Sequence, residues 1–145
     1  MTDRINVNPP EMWGDTGFPM NQGVVEPAGR RVHVTGQVAW DRDMNLIGGD
    51  DAGAQTRAAL ENIQAVLGAL GGDLGDIVSL TTYFVRDEDK AAITEARAEM
   101  LEKATGPTAT GVRVAGLWAP DLLVELTAIA VIPESRFTDR NGPDR

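Results

Sequence analysis

The chain has 145 residues, 42% of them hydrophobic, and a net charge of −9; this is the size of one domain with a core of its own. A surface this acidic repels phosphate backbones and anionic lipid, which argues against nucleic acid and membranes as partners. With no cysteine and one histidine, His33, disulfides and thiolate nucleophiles are excluded, and no metal site is expected.

Residues 1–17 are polar and contain Pro9-Pro10, which predicts an irregular arm ahead of a single domain over 18–133. No signal-like apolar run opens the chain, and none reaches the ~20 residues of a membrane span. The lack of cysteine suits a reducing cytosol, so a cytoplasmic location is expected. QGVVEPAGRRVHVTGQVAW (22–40) reads as a hairpin turning at Pro27-Ala28-Gly29. Val32, Val34 and Gly36 share one face, and Arg31, His33 and Thr35 the other. A short strand follows around Leu46 and Ile47.

Residues 52–70 read as a helix: Asp50 and Asp51 offer N-cap oxygens, and Leu60, Ile63, Leu67 and Leu70 recur at helical spacing. Gly71-Gly72 stops it. IVSLTTYFV (77–85) is a strand by its β-branched and aromatic content. Asp87 or Asp89 caps a second helix over 88–104, with Ile93, Ala96, Met100 and Leu101 inward. TGVRVAG (110–116) alternates as a strand, LLVELTAIAVI (122–132) is the last strand, and residues 134–145 are a loose tail. Two amphipathic helices can cover only one face of a five- or six-stranded sheet, so the other must meet solvent or a second subunit.

In the last strand Leu122, Val124, Leu126, Ala128, Ala130 and Ile132 share one apolar face. Leu123, Glu125, Thr127, Ile129 and Val131 share the other, which is too apolar for open solvent and suggests oligomerisation. A carboxylate there needs a reason. It is either half of an ion pair, with Arg113 across the neighbouring strand, or a general base or water-orienting group in a subunit cleft. Spacing alone leaves both open.

Three segments carry a resemblance: VHVTGQVAWD, the block QTRAALENIQAVL…GGDLGDIVSLTTYFV, and LLVELTAIAVIP, in this order between Gln22 and Pro133. The chain resembles the Rid family (reactive intermediate deaminase, YjgF-like). The resemblance implies an α+β, chorismate-mutase-like fold: a mixed sheet with two helices on one face, and three copies packing the other face into a central barrel. It also implies metabolite clefts between subunits, hydrolysis of imines and enamines, and no cofactor. Residue by residue, the water-orienting glutamate falls on Glu125 and the Ser/Thr-Gly pair on Thr35 and Gly36, followed by Gln37. The usual aromatic ring is replaced near Met20, and the polar residue of the second helix falls on Glu95. Gly111 and Arg113 lie further along the substrate-pocket strand.

One residue departs from the pattern. The family's carboxylate-binding arginine, in P-x-R, is Ala109 in Pro107-Thr108-Ala109. An alanine cannot make the bidentate fork to a carboxylate. Arg113 lies four residues on, about 13 Å of strand rise; it is a replacement or a partner for an acid in the trimer interface. Without an arginine, a cleft holding Glu125 and Glu95 favours neutral or cationic ligands. Two functions follow: a cofactor-free hydrolase of C=N bonds with a shifted substrate preference, or a non-catalytic trimer binding a metabolite or partner. Family labels of endoribonuclease activity are opposed by the charge.

Overall fold

A computed structural model describes residues 3–14 and 16–139. The 1–17 arm is not wholly irregular: β1 (Ile5–Val7) pairs antiparallel with β2 (Gly23–Val25) as a two-stranded ribbon. Arg4 fastens it, its guanidinium donating to the carbonyls of Gly75 (3.1 Å), Ile77 (3.0 Å) and Gly106 (2.7 Å). The hairpin expected over 22–40 is therefore corrected. The chain does bend at Ala28-Gly29, but β2 pairs backwards with β1, and β3 (Arg30–Gln37) joins another sheet.

That main sheet has four strands, in the order β3-β6-β4-β5, rather than the five or six expected; β4 is Ile77–Phe84, β5 Thr108–Arg113 and β6 Val124–Ile132. β6 is antiparallel to both neighbours, and β4 pairs parallel with β5. The connections β3–α1–β4 and β4–α2–β5 step the same way across the sheet, with α1 at Ala52–Gly68 and α2 at Lys90–Met100. Crossovers of this kind are right-handed, so two steps in one direction put both helices on one face. β6 then fills the gap between β3 and β4. The result is the mixed sheet with two helices that the sequence implies.

The core lies between the helices and that face. Val124, Leu126, Ala128 and Ala130 are buried in one cluster with Leu60, Ile63 and Leu67 of α1, and Leu122 and Ile132 are buried as well. On the opposite face Glu125, Thr127 and Ile129 are half-buried. Leu123 and Val131, expected to be uncovered, are buried within the chain, so the open face is less apolar than the alternation implies.

Local chemistry sets the ends. Asp51 caps α1 by accepting from the Ala54 amide at 3.1 Å. The Gly72 amide closes the helix onto the Leu67 carbonyl at 2.8 Å. Asp89 stands at the start of α2 but makes no capping bond. Its carboxylate is taken by Arg86, at 2.8 and 2.9 Å. α2 is correspondingly shorter than expected, and 3-10 turns at Asp87–Asp89 and Lys103–Thr105 flank it. Near Leu46 there is only a single bridge to Trp40.

The tail is corrected in part. Arg136 grips the buried Asp76 carboxylate (2.5 and 3.0 Å), the Thr138 amide donates to Leu70, and Arg30 stacks on the Phe137 ring. Residues 134–139 are thus docked; the rest of the expected tail, 140–145, and residues 1–2 and 15 of the arm lie outside the described residues.

Candidate active site

The site grows from an irregularity in β3. Val34 pairs with Ala128 and Gln37 with Leu126, so three steps along β3 match two along β6. This is a β-bulge, which bends a strand and re-aims its side chains. It lays Gly36 against the Glu125 side chain. A Cβ on Gly36 would come within 2.5 Å of Glu125 Oε2 and 3.0 Å of its Cδ. No hydrogen bond or ion pair holds that carboxylate among the described residues, so both oxygens are available to a water or a ligand.

Around this point opens a cleft of about 690 Å³, with Thr35, Gly36, Gln37 and Glu125 on one wall. Trp40 and Trp118 line it too. Trp118 is 87% exposed. Asn62 of α1 holds another wall, donating to the Val38 and Trp40 carbonyls at 3.0 and 3.1 Å. The turn beyond is built by Asp41, whose carboxylate accepts from the amides of Asp43 (2.8 Å) and Asn45 (2.9 Å). Those bonds, the Asn45 amide foremost, hold the Asp41 carboxyl below its ordinary value. Met44 in that turn has φ +63°, left-handed for a residue with a side chain, and it lines the cleft.

The other expected site residues lie elsewhere. Ala109 pairs with Leu80 and Gly111 with Thr82, which puts both on the helix side of the sheet. Glu125 pairs with Tyr83, on the opposite side. Ala109, Gly111 and Met20 line a second cavity, of about 210 Å³, closed by Phe18 and by Thr94 and Arg97 of α2. Gly106 makes this cavity possible: a Cβ there would sit 2.6 Å from the Met20 amide nitrogen, so only glycine lets the Pro19-Met20 backbone pass so close.

Glu95 is exposed and borders a neighbouring groove with Phe18 and Thr94. Within one chain Arg113 does not pair with Glu125. β4 separates it from Glu125, it shares a register level with Phe84, and it contacts Asp87 at 3.5 Å in the open. One chain therefore brings Thr35, Gly36, Gln37 and Glu125 together and keeps Met20, Ala109 and Gly111 apart from them.

Three residues escaped the sequence reading. Asn62 offered no signal. Gln55, fully buried, donates to Gly49 and Asp121 carbonyls and accepts from the Leu123 amide, which fixes the approach to β6. Arg97 did carry a signal, because it falls four residues after Ile93 on the inward stripe of α2. No cluster of His, Cys, Asp or Glu able to hold a metal exists among the described residues, and no described helix is long and apolar enough to cross a membrane.

Comparison with known proteins adds an independent line. The family model described as Endoribonuclease L-PSP matches residues 17–132. YyfB of Yersinia pestis, a Rid-family protein of unknown function, is 34% identical over 89% of this chain and 98% of its own, with a TM-score of 0.82. Rv2704 of Mycobacterium tuberculosis, in the YjgF/YER057c/UK114 family, is 30% identical over 90% of this chain and all of its own, with a TM-score of 0.62. TdcF of E. coli, solved with bound serine, is 30% identical over 79% of this chain and 88% of its own, with a TM-score of 0.61.

Proposed function

The chain belongs to the Endoribonuclease L-PSP family, which takes in the Rid and YjgF proteins, and from that premise we propose that it is a cofactor-free hydrolase of imine-type metabolites. The observation that carries this reading is the unpaired Glu125 carboxylate, laid against Gly36 in an open cleft. A carboxylate so placed can take a proton from water as the water's oxygen attacks the carbon of a C=N bond. The carboxyl returns that proton to the nitrogen, giving a carbinolamine with a hydroxyl and an amine; as the C–N bond breaks, the hydroxyl proton passes to the nitrogen through the same carboxylate, ammonia leaves, and a carbonyl remains. Thr35 and Gln37 offer polar groups for orientation. The acidic net charge of −9 favours a small metabolite over RNA despite the family's name. Serine bound to TdcF supports a ligand of amino-acid size.

In this reading copies of the chain assemble as a homotrimer, and the Ala109 cavity of one copy faces the Glu125 cleft of the next. The geometry favours such sharing, because the two halves lie on opposite faces of one sheet. The second reading, a trimer that binds a metabolite or partner without catalysis, draws on Ala109 in place of arginine. Competition with semicarbazide for imines released by an amino-acid oxidase, run on wild type and Glu125→Gln, separates the two.

A further inference from the structure

Arg97 is a part-buried arginine that no acid among the described residues pairs with. Arg57 pairs with Glu99, Arg86 with Asp89, Arg136 with Asp76 and Arg113 with Asp87. The chain has 22 acidic residues against 13 basic ones, so acidic partners are abundant. Yet the Arg97 side chain makes no hydrogen bond or ion pair among the described residues, and its Nε is buried without an acceptor. A buried donor left unsatisfied is destabilising, and native structures keep few of them. Burial alone perturbs this guanidinium, holding its pKa below the ordinary arginine value with no carboxylate to raise it; an arginine so placed stays charged at neutral pH.

The surroundings specify what could satisfy it. Arg97 lines the 210 Å³ cavity with Phe18, Pro19, Met20, Ala109 and Gly111, and Thr94 adds one hydroxyl. The cavity therefore offers one cation, one hydroxyl and an apolar remainder. A monoanion with a short apolar body fits that set, whereas a phosphate dianion would call for a second positive charge. Ala109 is part of the same arrangement. Its methyl leaves room in the cavity, and an arginine at 109 would bring a second guanidinium into a space that already holds one.

We propose that Arg97 is the anion-recognition residue of this protein, presenting its guanidinium from α2 to the carboxylate of a small monocarboxylate whose apolar part lies against Phe18 and Met20. This rests on reading the Ala109 cavity as one half of the ligand cleft. It reverses the expectation, drawn from Ala109, of a preference for neutral or cationic ligands.

The test uses butyrate and its uncharged counterpart butyramide, titrated into the full-length wild type, Arg97→Gln and Arg97→Lys. Calorimetry gives affinity, and the Arg97 Nε–H resonance reports contact. Butyrate is expected to bind wild type, to shift that resonance, and to weaken at least tenfold in Arg97→Gln, with partial retention in Arg97→Lys. Butyramide is expected to bind all three equally poorly, and inorganic phosphate less well than butyrate. Failure of wild type to bind butyrate, equal butyrate affinity in wild type and Arg97→Gln, or tighter binding of phosphate overturns the proposal. So does a change of oligomeric state in Arg97→Gln with no effect on butyrate, since the natural partner would then be a carboxylate of a neighbouring copy. The imine assay keeps the two readings separate. Imine hydrolysis with an unchanged KM in Arg97→Gln removes the Arg97 assignment and leaves the hydrolase. Arg97-dependent butyrate binding without hydrolysis does the reverse.

Discussion

Gly36 and Glu125 occupy one another's space: a single carbon added to Gly36 would lie 2.5 Å from Glu125 Oε2. The atom it would strike is the far end of a flexible side chain. Gly36 is therefore needed for where the carboxylate rests and contributes little to whether the chain folds.

Gly36→Ala should accordingly swing the Glu125 carboxylate away while changing stability by less than about 1 kcal/mol. Imine hydrolysis should fall about tenfold or more, because misplacing a reacting group is costly. Denaturant unfolding and the imine assay on one preparation check both halves. A large stability loss, or undiminished activity, would contradict the relationship.

Gln55 is the buried clamp that leads into β6. Its amide serves the Gly49 and Asp121 carbonyls at 2.8 and 3.0 Å and the Leu123 amide at 2.9 Å. Gln55→Leu keeps the volume and strands three backbone groups, at a cost of about 3 kcal/mol. Urea unfolding measures it; a midpoint within error of wild type would show that water replaces the clamp.

Arg136 ties the chain after β6 to Asp76, a carboxylate with a side chain only 9% exposed, although Arg136 itself is 44% exposed. Arg136→Ala should destabilise by about 1–2 kcal/mol, less than for a fully buried pair because solvent screens the arginine. Faster amide exchange at Thr138, whose N–H bonds Leu70, should accompany the loss. Unchanged exchange there would mean that the segment docks without the ion pair.

Asp41 gives a pH signature. Its carboxyl is held below its ordinary value of 3.8 by the Asn45 and Asp43 amides. A depressed folded pKa means that the contribution is present above the unfolded value and is lost as pH falls through the folded one. The Asp43 and Asn45 amide resonances should hold steady from about pH 8 to pH 5 and move only below about pH 4. Movement near neutrality would assign them to another group.

Much of this architecture was legible because periodicity speaks for continuous, half-buried elements. α1, β4 and β6 repeat their apolar residues at the helical or strand spacing, and the structure keeps them close to their expected bounds. The β1–β2 ribbon was not legible, since three-residue strands with exposed faces carry no pattern, and Pro27-Ala28-Gly29 marks a turn without saying which strands it joins. The bulge at Thr35-Gly36 was invisible for a related reason: one extra residue in register leaves no mark in composition. Glu125 stood out as a charge on an otherwise apolar strand. Arg97 is the same kind of anomaly on α2, yet a single charge on a helix stripe is easily taken for a surface position. Separation of the Ala109 and Glu125 halves depends on strand order, with β4 between β5 and β6, which no local pattern encodes.

The most direct test of the central claim is the rate at which this protein clears oxidase-generated imines in competition with semicarbazide, wild type against Glu125→Gln. If Glu125 handles the water, wild type lowers semicarbazide trapping, and Glu125→Gln slows clearance about 100-fold or more with its fold and assembly intact. Equal rates in the two proteins, or no clearance by wild type for any amino acid tried, would contradict the account and leave a binding protein in its place.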